Sequence, residues 1–498
     1  MDNLIKEKIK TLGEIPVELE DEFLKAFNKL LRADYAEVVV MRMLAEMIEN
    51  PKIFAFSKNK LTLLAKELLI RDVNNEAVTL SESGKNYLPM PVPQLKIEKL
   101  PKQETVVFGL KESPAEFAIY GKELIEEGAI KQMKTAMSLP ISEAGALMPD
   151  AHAGYGLPIG GVLATESNTI IPYAVGVDIA CRMCLSVFDI PETYFQKQPH
   201  LLKNALQENT FFGVSSETDY VMDDSIMDLP DWSATKTLRG LKDKAYRQLG
   251  TSGTGNHFVE WGLVEVFEND ELLGLESRTY LASLSHSGSR GMGASVATHY
   301  SKIASQKSKL PKSAAHLAWL DLATEEGQEY WISMNLAGEY AAANHHEIHA
   351  KMAKEIGEKP LKMIENHHNF AWKETHFGKE MMVHRKGATP AGKNDLGIIP
   401  ASMTAKGYII RGKGNENALQ SASHGAGRAM SRAEALQSIT RSSVRKILAA
   451  NGVQLIGGDL DEAPMAYKNI ETVMQSQTDL VSVLASFTPK IVRMAESK

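Results

Sequence analysis

Five glycine-rich segments, HAGYGLPIGG, LGTSGTGNH, HSGSRGMG, RKGATPAG and SHGAGR, punctuate the stretch from residue 152 to residue 428. Glycine at such density marks places where backbone turns tightly or lies close to a ligand. The segments share no repeat period of about 20 to 50 residues, which excludes a solenoid. Short β-branched runs and helical stretches alternate between them, so an α+β fold is expected: a mixed α/β body whose loops could converge on one site. With 498 residues, 44% of them hydrophobic, the chain can bury a large core.

Ahead of that body the sequence changes character. ELEDEFLKAFNKLLR and ADYAEVVVMRMLAEMIEN repeat apolar positions at three and four residues, which reads as amphipathic helix. A break at Asn74 and Asn75, a β-prone run and a further helical stretch from near Ser81 give an order like that of a winged helix. Residues 89–101, PMPVPQLKIEKLP, carry four prolines and form an extended connection. Residues 1–100 are therefore taken as a helical N-terminal extension and 101–498 as the catalytic domain.

Several function classes are excluded early. No segment approaches the roughly 20 apolar residues needed to span a bilayer, and MDNLIKEKIK lacks the apolar stretch of a secretory signal. No membrane partner is expected. The two cysteines, Cys181 and Cys184, are too close and too few for a disulfide framework, which suits a reducing, cytoplasmic setting. A net charge of −7 argues against indiscriminate nucleic-acid coating, because that needs Lys and Arg to replace counterions.

The motifs that carry chemistry are weak singly. IIPYAVGVDIACRMC reads as a buried strand delivering Asp178 and Cys181 at its end, where a carboxylate and a thiolate can share a metal centre. LGTSGTGNHFVEW leads through Gly253, Gly255 and Asn256 into His257 and Glu260, a loop whose amides can face a phosphate. In SLSHSGSRGMG, His286 follows a strand, and Arg290 sits in a loop too glycine-rich for mid-helix, a planar fork for phosphate oxygens. NHHNFAWKE offers His367 and His368, of which only one can point inward if the segment is extended. SASHGAGRAMSRAEALQ puts His424 in a small-residue loop before a helix expected from near Arg428, whose amino end would aim an α-phosphate at the imidazole. Each has an ordinary alternative in a cap, a turn or a packed core residue. Jointly they supply one Asp, one Cys and several His among anion-binding loops, and ligand softness alone favours zinc or another late divalent metal.

MPDAHAGYGLPIGGVLAT, VGVDIAC, GTGNHFVE, HSGSRGMG, HHNFA, VHRKGAT, PASM, SHGAGR and AYKNI occur in the order found in RtcB RNA ligases, a resemblance that covers about residues 104–480. It implies that Asp178, Cys181, His257, His286 and His368 hold two divalent ions, with Cys181 bridging. It also implies manganese rather than the zinc that softness favours. Around GTP it places Asn256, His257, Phe258, Val259, Glu260, His368, Asn369, Pro400, Ala401, Ser402, Met403, His424, Gly425, Ala426, Gly427 and Lys468. His424 would be the nucleophile that carries GMP. The implied partners are RNA with a 3′-phosphate or 2′,3′-cyclic phosphate end, RNA with a 5′-hydroxyl end, and an archease-type activator. A guanylylating end-repair enzyme or cyclic-phosphate hydrolase, and a silent RNA-binding regulator, are the competing readings.

The chain departs from the family pattern at four positions. Cys184 lies outside the usual motif, and His345 stands where many members carry Arg. Pro390 replaces a common arginine after HRKGAT, and Gly407 replaces a frequent nucleotide-contacting serine. The two missing arginines imply altered contacts to RNA phosphates.

Overall fold

The computed structural model describes residues 100–218 and 225–496. The expected N-terminal helices and winged-helix order lie outside the described residues, as does the proline-rich connection except at Leu100 and Pro101. Lys99–Ile226 and Asp231–Lys498 form one compact unit. No helix among the described residues is long and apolar enough to cross a membrane.

Strands β1 (Ala118–Ile119), β2 (Ser142–His152) and β3 (Ile159–Glu166) come first, then β4 (Arg182–Phe188), β5 (Phe258–Val266) and β6 (Thr279–Ser287). They are followed by β7 (Lys362–His367), β8 (Asn369–His376), β9 (Lys379–Lys386), β10 (Leu396–Ile399), β11 (Gly407–Gly412), β12 (Gln454–Gly458) and β13 (Val481–Glu496). One sheet of eight runs β7-β4-β6-β5-β13-β11-β10, with β12 alongside β13, and a second sheet of five runs β8-β9-β3-β2-β1. Within both sheets only β12–β13 and β1–β2 pair in parallel. Mostly antiparallel sheets covered by helices make this a mixed α/β body of the α+β kind.

Side chains alternate across a strand, so each face of the large sheet has its own chemistry. On β4, Met183, Leu185 and Val187 join Leu284, Val264 and Ile364 in one apolar cluster. Val259 and Trp261 of β5 face the other way and pack with Ile348 and Met352. These last two belong to a helix of 32 residues, Glu325–Ile356 (α5 below, after α1 Glu127–Met137, α2 Pro199–Asn209, α3 Lys236–Gln248 and α4 Arg290–Lys307). Thr324 caps α5 by accepting from the Gly327 N–H, Glu325 and Glu326 occupy its positive first turn, and left-handed Gly357 ends it.

The smaller sheet buries Leu147 and Leu163 against Ile130, Met133 and Met137 of α1. Its opposite face puts Ala146, Met148, Val162 and Val383 with Ile399, Tyr408 and Ile410 of the large sheet, which joins the two sheets in one core.

Three local expectations are corrected. The run IIPYAVGVDIAC is not a strand: Pro172–Val175 is a helical turn with Pro172 at its start, and Asp178 to Cys181 form a loop before β4. Proline has no N–H for a ladder and its φ suits a first helical turn, and Gly176 at φ 100 then ends that turn. Arg290 is not in a loop but opens α4, because Gly291 and Gly293 let that helix pack closely on Gln248 and Ser289. Finally, no helix begins near Arg428. The next one is Arg432–Ser438, capped by Ser431, since the Ser431 side chain accepts from the Glu434 N–H.

Trp261 is fully buried beneath α5. Trp261→Ala is expected to destabilise the body by about 3–5 kcal/mol; a loss below about 1 kcal/mol in chemical denaturation would mean that this face of β5 is not the packed layer described.

Candidate active site

Asp178, Cys181, His257, His286 and His368 arrive from the loop before β4, the two ends of the β5–β6 hairpin, and the junction of β7 and β8. They meet around the thiol of Cys181. One trio of donor atoms, from Asp178, Cys181 and His257, and another, from Cys181, His286 and His368, each lie within 4.8 Å of one another. The Cys181 Sγ is 3.4 Å from His257 Nε2 and 3.1 Å from His286 Nε2. His286 Nε2 is 3.3 Å from His368 Nε2.

Backbone carbonyls determine how two of these rings present themselves. His257 Nδ1 lies 2.6 Å from the Ser252 carbonyl, and His286 Nδ1 lies 3.1 Å from that of Asn256. A carbonyl can only accept, so Nδ1 carries the proton and Nε2 is left bare, the form that binds metals. Yet bare His257 Nε2 faces an Asp178 carboxylate oxygen at 2.9 Å. Two such lone pairs repel unless a proton or a cation lies between them. Burial pushes the Cys181 thiol well above its ordinary range, with Asp178 adding to the shift, and burial drives His286 down to about 3. The His286 ring is thus kept neutral, and the thiol would release its proton to a positive charge placed beside it. Burial works to raise Asp178, but its neighbours His257, Cys181 and Arg290 outweigh it, so the carboxylate stays ionised. The donor set fits divalent metal.

His367 and His368 divide as strand alternation requires. His367 packs against the Phe370 and Trp372 rings, its centre 4.9 Å from each, whereas His368 turns to His286.

His424 follows the short strand Ser421–Ser423, which pairs with Ala388–Pro390. Its ring centre is 4.9 Å from that of His368. Asp150, at the inner end of β2 and fully buried, holds it: Oδ2 is 2.7 Å from His424 Nδ1 and accepts from the N–H of His424 at 3.2 Å and of Gly425 at 3.3 Å. The Gly425 amide, expected together with that of Gly427 to face a phosphate from a helix start, faces a carboxylate instead. Gly427, in the left-handed region at φ 72, presses on the Asp150 backbone where a Cβ would collide. With Nδ1–H donated to Asp150, Nε2 of His424 is bare and available.

A cavity of about 960 Å³ opens beside His286, His368 and His424. Of the residues the resemblance puts at the nucleotide, Asn256, Phe258, Glu260, Pro400, Ala401, Ser402, Met403, Gly425, Ala426, Gly427 and Lys468 line it. His257, Val259 and Asn369 do not, His257 being turned to Cys181 and Asp178. Val259 is on the helix side of β5, and Asn369 donates to the Asp178 carbonyl at 3.1 Å and accepts from the Gly387 N–H at 2.9 Å. Glu260 is buried at the cavity wall, which raises its carboxyl well above the usual range. Lys468 donates to the Ala151 carbonyl at 2.8 Å, and burial lowers its ammonium.

Some residues of the site escaped the sequence reading. Asp150 sits among apolar neighbours in GALMPDAHAG, and an acid in such a run was the available signal. Lys386 donates to the Tyr155 carbonyl, and burial brings it down to about 8. His152, brought to about 4 chiefly by burial, adds a neutral ring. Arg290 behaves differently from the open fork expected: it donates to the Thr251 hydroxyl and to the Gly213 carbonyl, each at 3.0 Å, and so anchors loops. His345 is fully buried on the α5 side of the large sheet, so its replacement of an arginine does not alter an RNA-facing surface there.

The family model described as "tRNA-splicing ligase RtcB" matches residues 132–495. The RNA-splicing ligase RtcB of Escherichia coli strain K12 is 33% identical over 392 residues, covering 72% of this chain and 92% of that protein. RNA-splicing ligase RtcB homolog 1 of Entamoeba histolytica is 30% identical, with 70% of this chain and 79% of that protein covered. The tRNA-splicing ligase RtcB of Nanoarchaeum equitans is 29% identical over 74% of this chain and 91% of its own length. With the family's pattern running through nearly the whole described body, and through the loops that build the cavity, this chain belongs to the RtcB family of RNA-splicing ligases.

Proposed function

We propose that the protein joins an RNA 3′-phosphate or 2′,3′-cyclic phosphate end to a 5′-hydroxyl end, using GTP and a guanylylated His424. The observation that carries this reading is His424, held from behind by Asp150, at a cavity beside paired donor trios that share the Cys181 thiol. Asp178, Cys181 and His257 would hold one manganese ion, and Cys181, His286 and His368 a second. Such ions supply positive charge that offsets phosphate oxygens in the transition state. Zinc, which outranks manganese in affinity for such ligands, is expected to compete.

The chain's own groups account for the rest. Asp150 holds the Nδ1 proton of His424, so Nε2 can attack the α-phosphorus of GTP as pyrophosphate departs, leaving GMP on the ring. The developing imidazolium is met by the Asp150 carboxylate. Asn256, Phe258, Glu260, Pro400–Met403 and Lys468 enclose the nucleotide, with Glu260 and Lys468 at its base and ribose end. GMP then passes to the RNA 3′-phosphate, and the 5′-hydroxyl oxygen displaces it to close the phosphodiester. A cyclic phosphate is first opened by water in the same cavity. Cationic Lys386 and Lys468 at the wall favour the polyanion.

The purified chain with manganese and α-labelled GTP is expected to give an acid-labile protein adduct that His424→Ala cannot form and chelation prevents. An adduct that survives in His424→Ala would overturn the nucleophile. Asp150→Asn is expected to slow adduct formation by about 100-fold or more, because the amide can donate to Nδ1 and stabilise the wrong tautomer; an unchanged rate would remove Asp150 from the chemistry. Supplied with 3′-phosphate and 5′-hydroxyl RNA, the protein is expected to produce joined RNA. Opening of cyclic phosphate without joining would favour the hydrolase instead.

A further inference from the structure

The α5 side of the large sheet carries a second group of metal-ligand type. Cys184 of β4 and His345 and His349 of α5 bring a thiol and two imidazole nitrogens within 4.8 Å of one another. All three are buried, with no more than 1% of their surface exposed. Cys184 is on the opposite strand face from Met183, so this group and the cavity lie on opposite sides of the sheet. The histidines are four residues apart, one helical turn, which aims both rings at the strands; this spacing on a helix suits a shared metal ion.

The hydrogen bonds around the rings are incomplete in a telling way. Ser285 Oγ lies 2.6 Å from His345 Nδ1 and 2.8 Å from His349 Nε2. Ser186 Oγ is 2.8 Å from His349 Nδ1. One serine hydroxyl has a single proton, so it can donate to only one of its two rings and must accept from the other. If it donates to His349, His345 uses its Nδ1–H, and His345 Nε2 is a bare lone pair. If it donates to His345, Nε2 of His345 carries an N–H. In either case that buried nitrogen has no hydrogen-bond partner among the described residues. A buried polar atom left so goes undersatisfied, and in the tautomer that leaves Nε2 bare a cation beside it removes the deficit.

The surroundings suit a cation. Glu365 stands opposite Cys184 in the strand register and is ionised, paired with Arg182 at 2.8 Å and near His346 at 3.1 Å. A divalent ion with one thiolate retains a positive charge, which that carboxylate helps to balance. Ser186 and Ser283 meet His349 Nδ1, at 2.8 Å and 3.2 Å, and Ser285 meets its Nε2, so an ion would take one of these ring nitrogens from its serine while the other serine contact keeps the ring oriented. One thiolate and two imidazoles match the softness of zinc and not that of magnesium or calcium.

We propose that Cys184, His345 and His349 form a second, closed metal site for zinc or a similarly thiophilic divalent ion, which fastens α5 to β4. Two of its three donors, Cys184 and His345, are positions at which this chain departs from the family pattern. The site is independent of the ligase reading and stands whether or not His424 carries GMP.

The chain has two cysteines, so in full-length Cys181→Ser the remaining thiol is Cys184. That protein, folded in the presence of cobalt, is expected to show thiolate-to-cobalt charge-transfer absorption saturating at about one ion per chain. Adding His345→Ala should abolish the band. A folded Cys181→Ser chain with no such band would reduce the trio to a hydrogen-bonded core cluster and overturn the site. Wild-type protein supplies a reading that depends on no variant: after growth with zinc and dialysis against chelator, which reaches the open cavity first, about one zinc per chain is expected to remain. Complete loss of zinc at that stage, with the protein still folded, would equally overturn it.

Discussion

The two-residue alternation of β4, β5 and β6 governs the rest of the structure. Met183, Phe258, Glu260, Leu284 and His286 point to one side and wall a cavity, while Cys184, Ser186, Val259, Trp261, Ser283 and Ser285 point to the other and receive α5. A slip of one residue in any of these strands would exchange the two sets. The apolar contacts of Trp261 and Val259 with Ile348 and Met352 resist that slip. The placement of His286 in the cavity therefore depends on packing on the far side of the sheet.

That division explains what could be read from the sequence. The glycine loops with their histidines were visible because each sits next to a strand end, and strand ends bring distant segments together. The choice between His367 and His368 could be framed, though not made, from alternation alone; the aromatic pair Phe370 and Trp372 shows which side His367 takes. The same logic applies to Val259. Flanked by Phe258 and Glu260 in one strand, it cannot share their face.

Other features needed three dimensions. Asp150 is 274 residues from His424, and nothing local to either indicates the pairing. The loop after His424 looked like a helix start because small residues precede a helical pattern, yet its Gly425 amide is satisfied by Asp150 and the helix begins only at Arg432. Arg290 looked like a free fork because its loop-spanning bonds go to residues 39 and 77 positions away. Long-range hydrogen bonds that redirect a polar group are the common element of these differences.

Asp150 grips His424 by ring and backbone through one oxygen atom, Oδ2. Rotation of the imidazole about its own axis would break the first of these bonds, and a swing of the whole residue would strain the second. The histidine is therefore a fixed post and not a swinging arm. A molecule in this cavity would have to be brought to that ring nitrogen, since the contacts with Asp150 oppose the ring's moving to meet it.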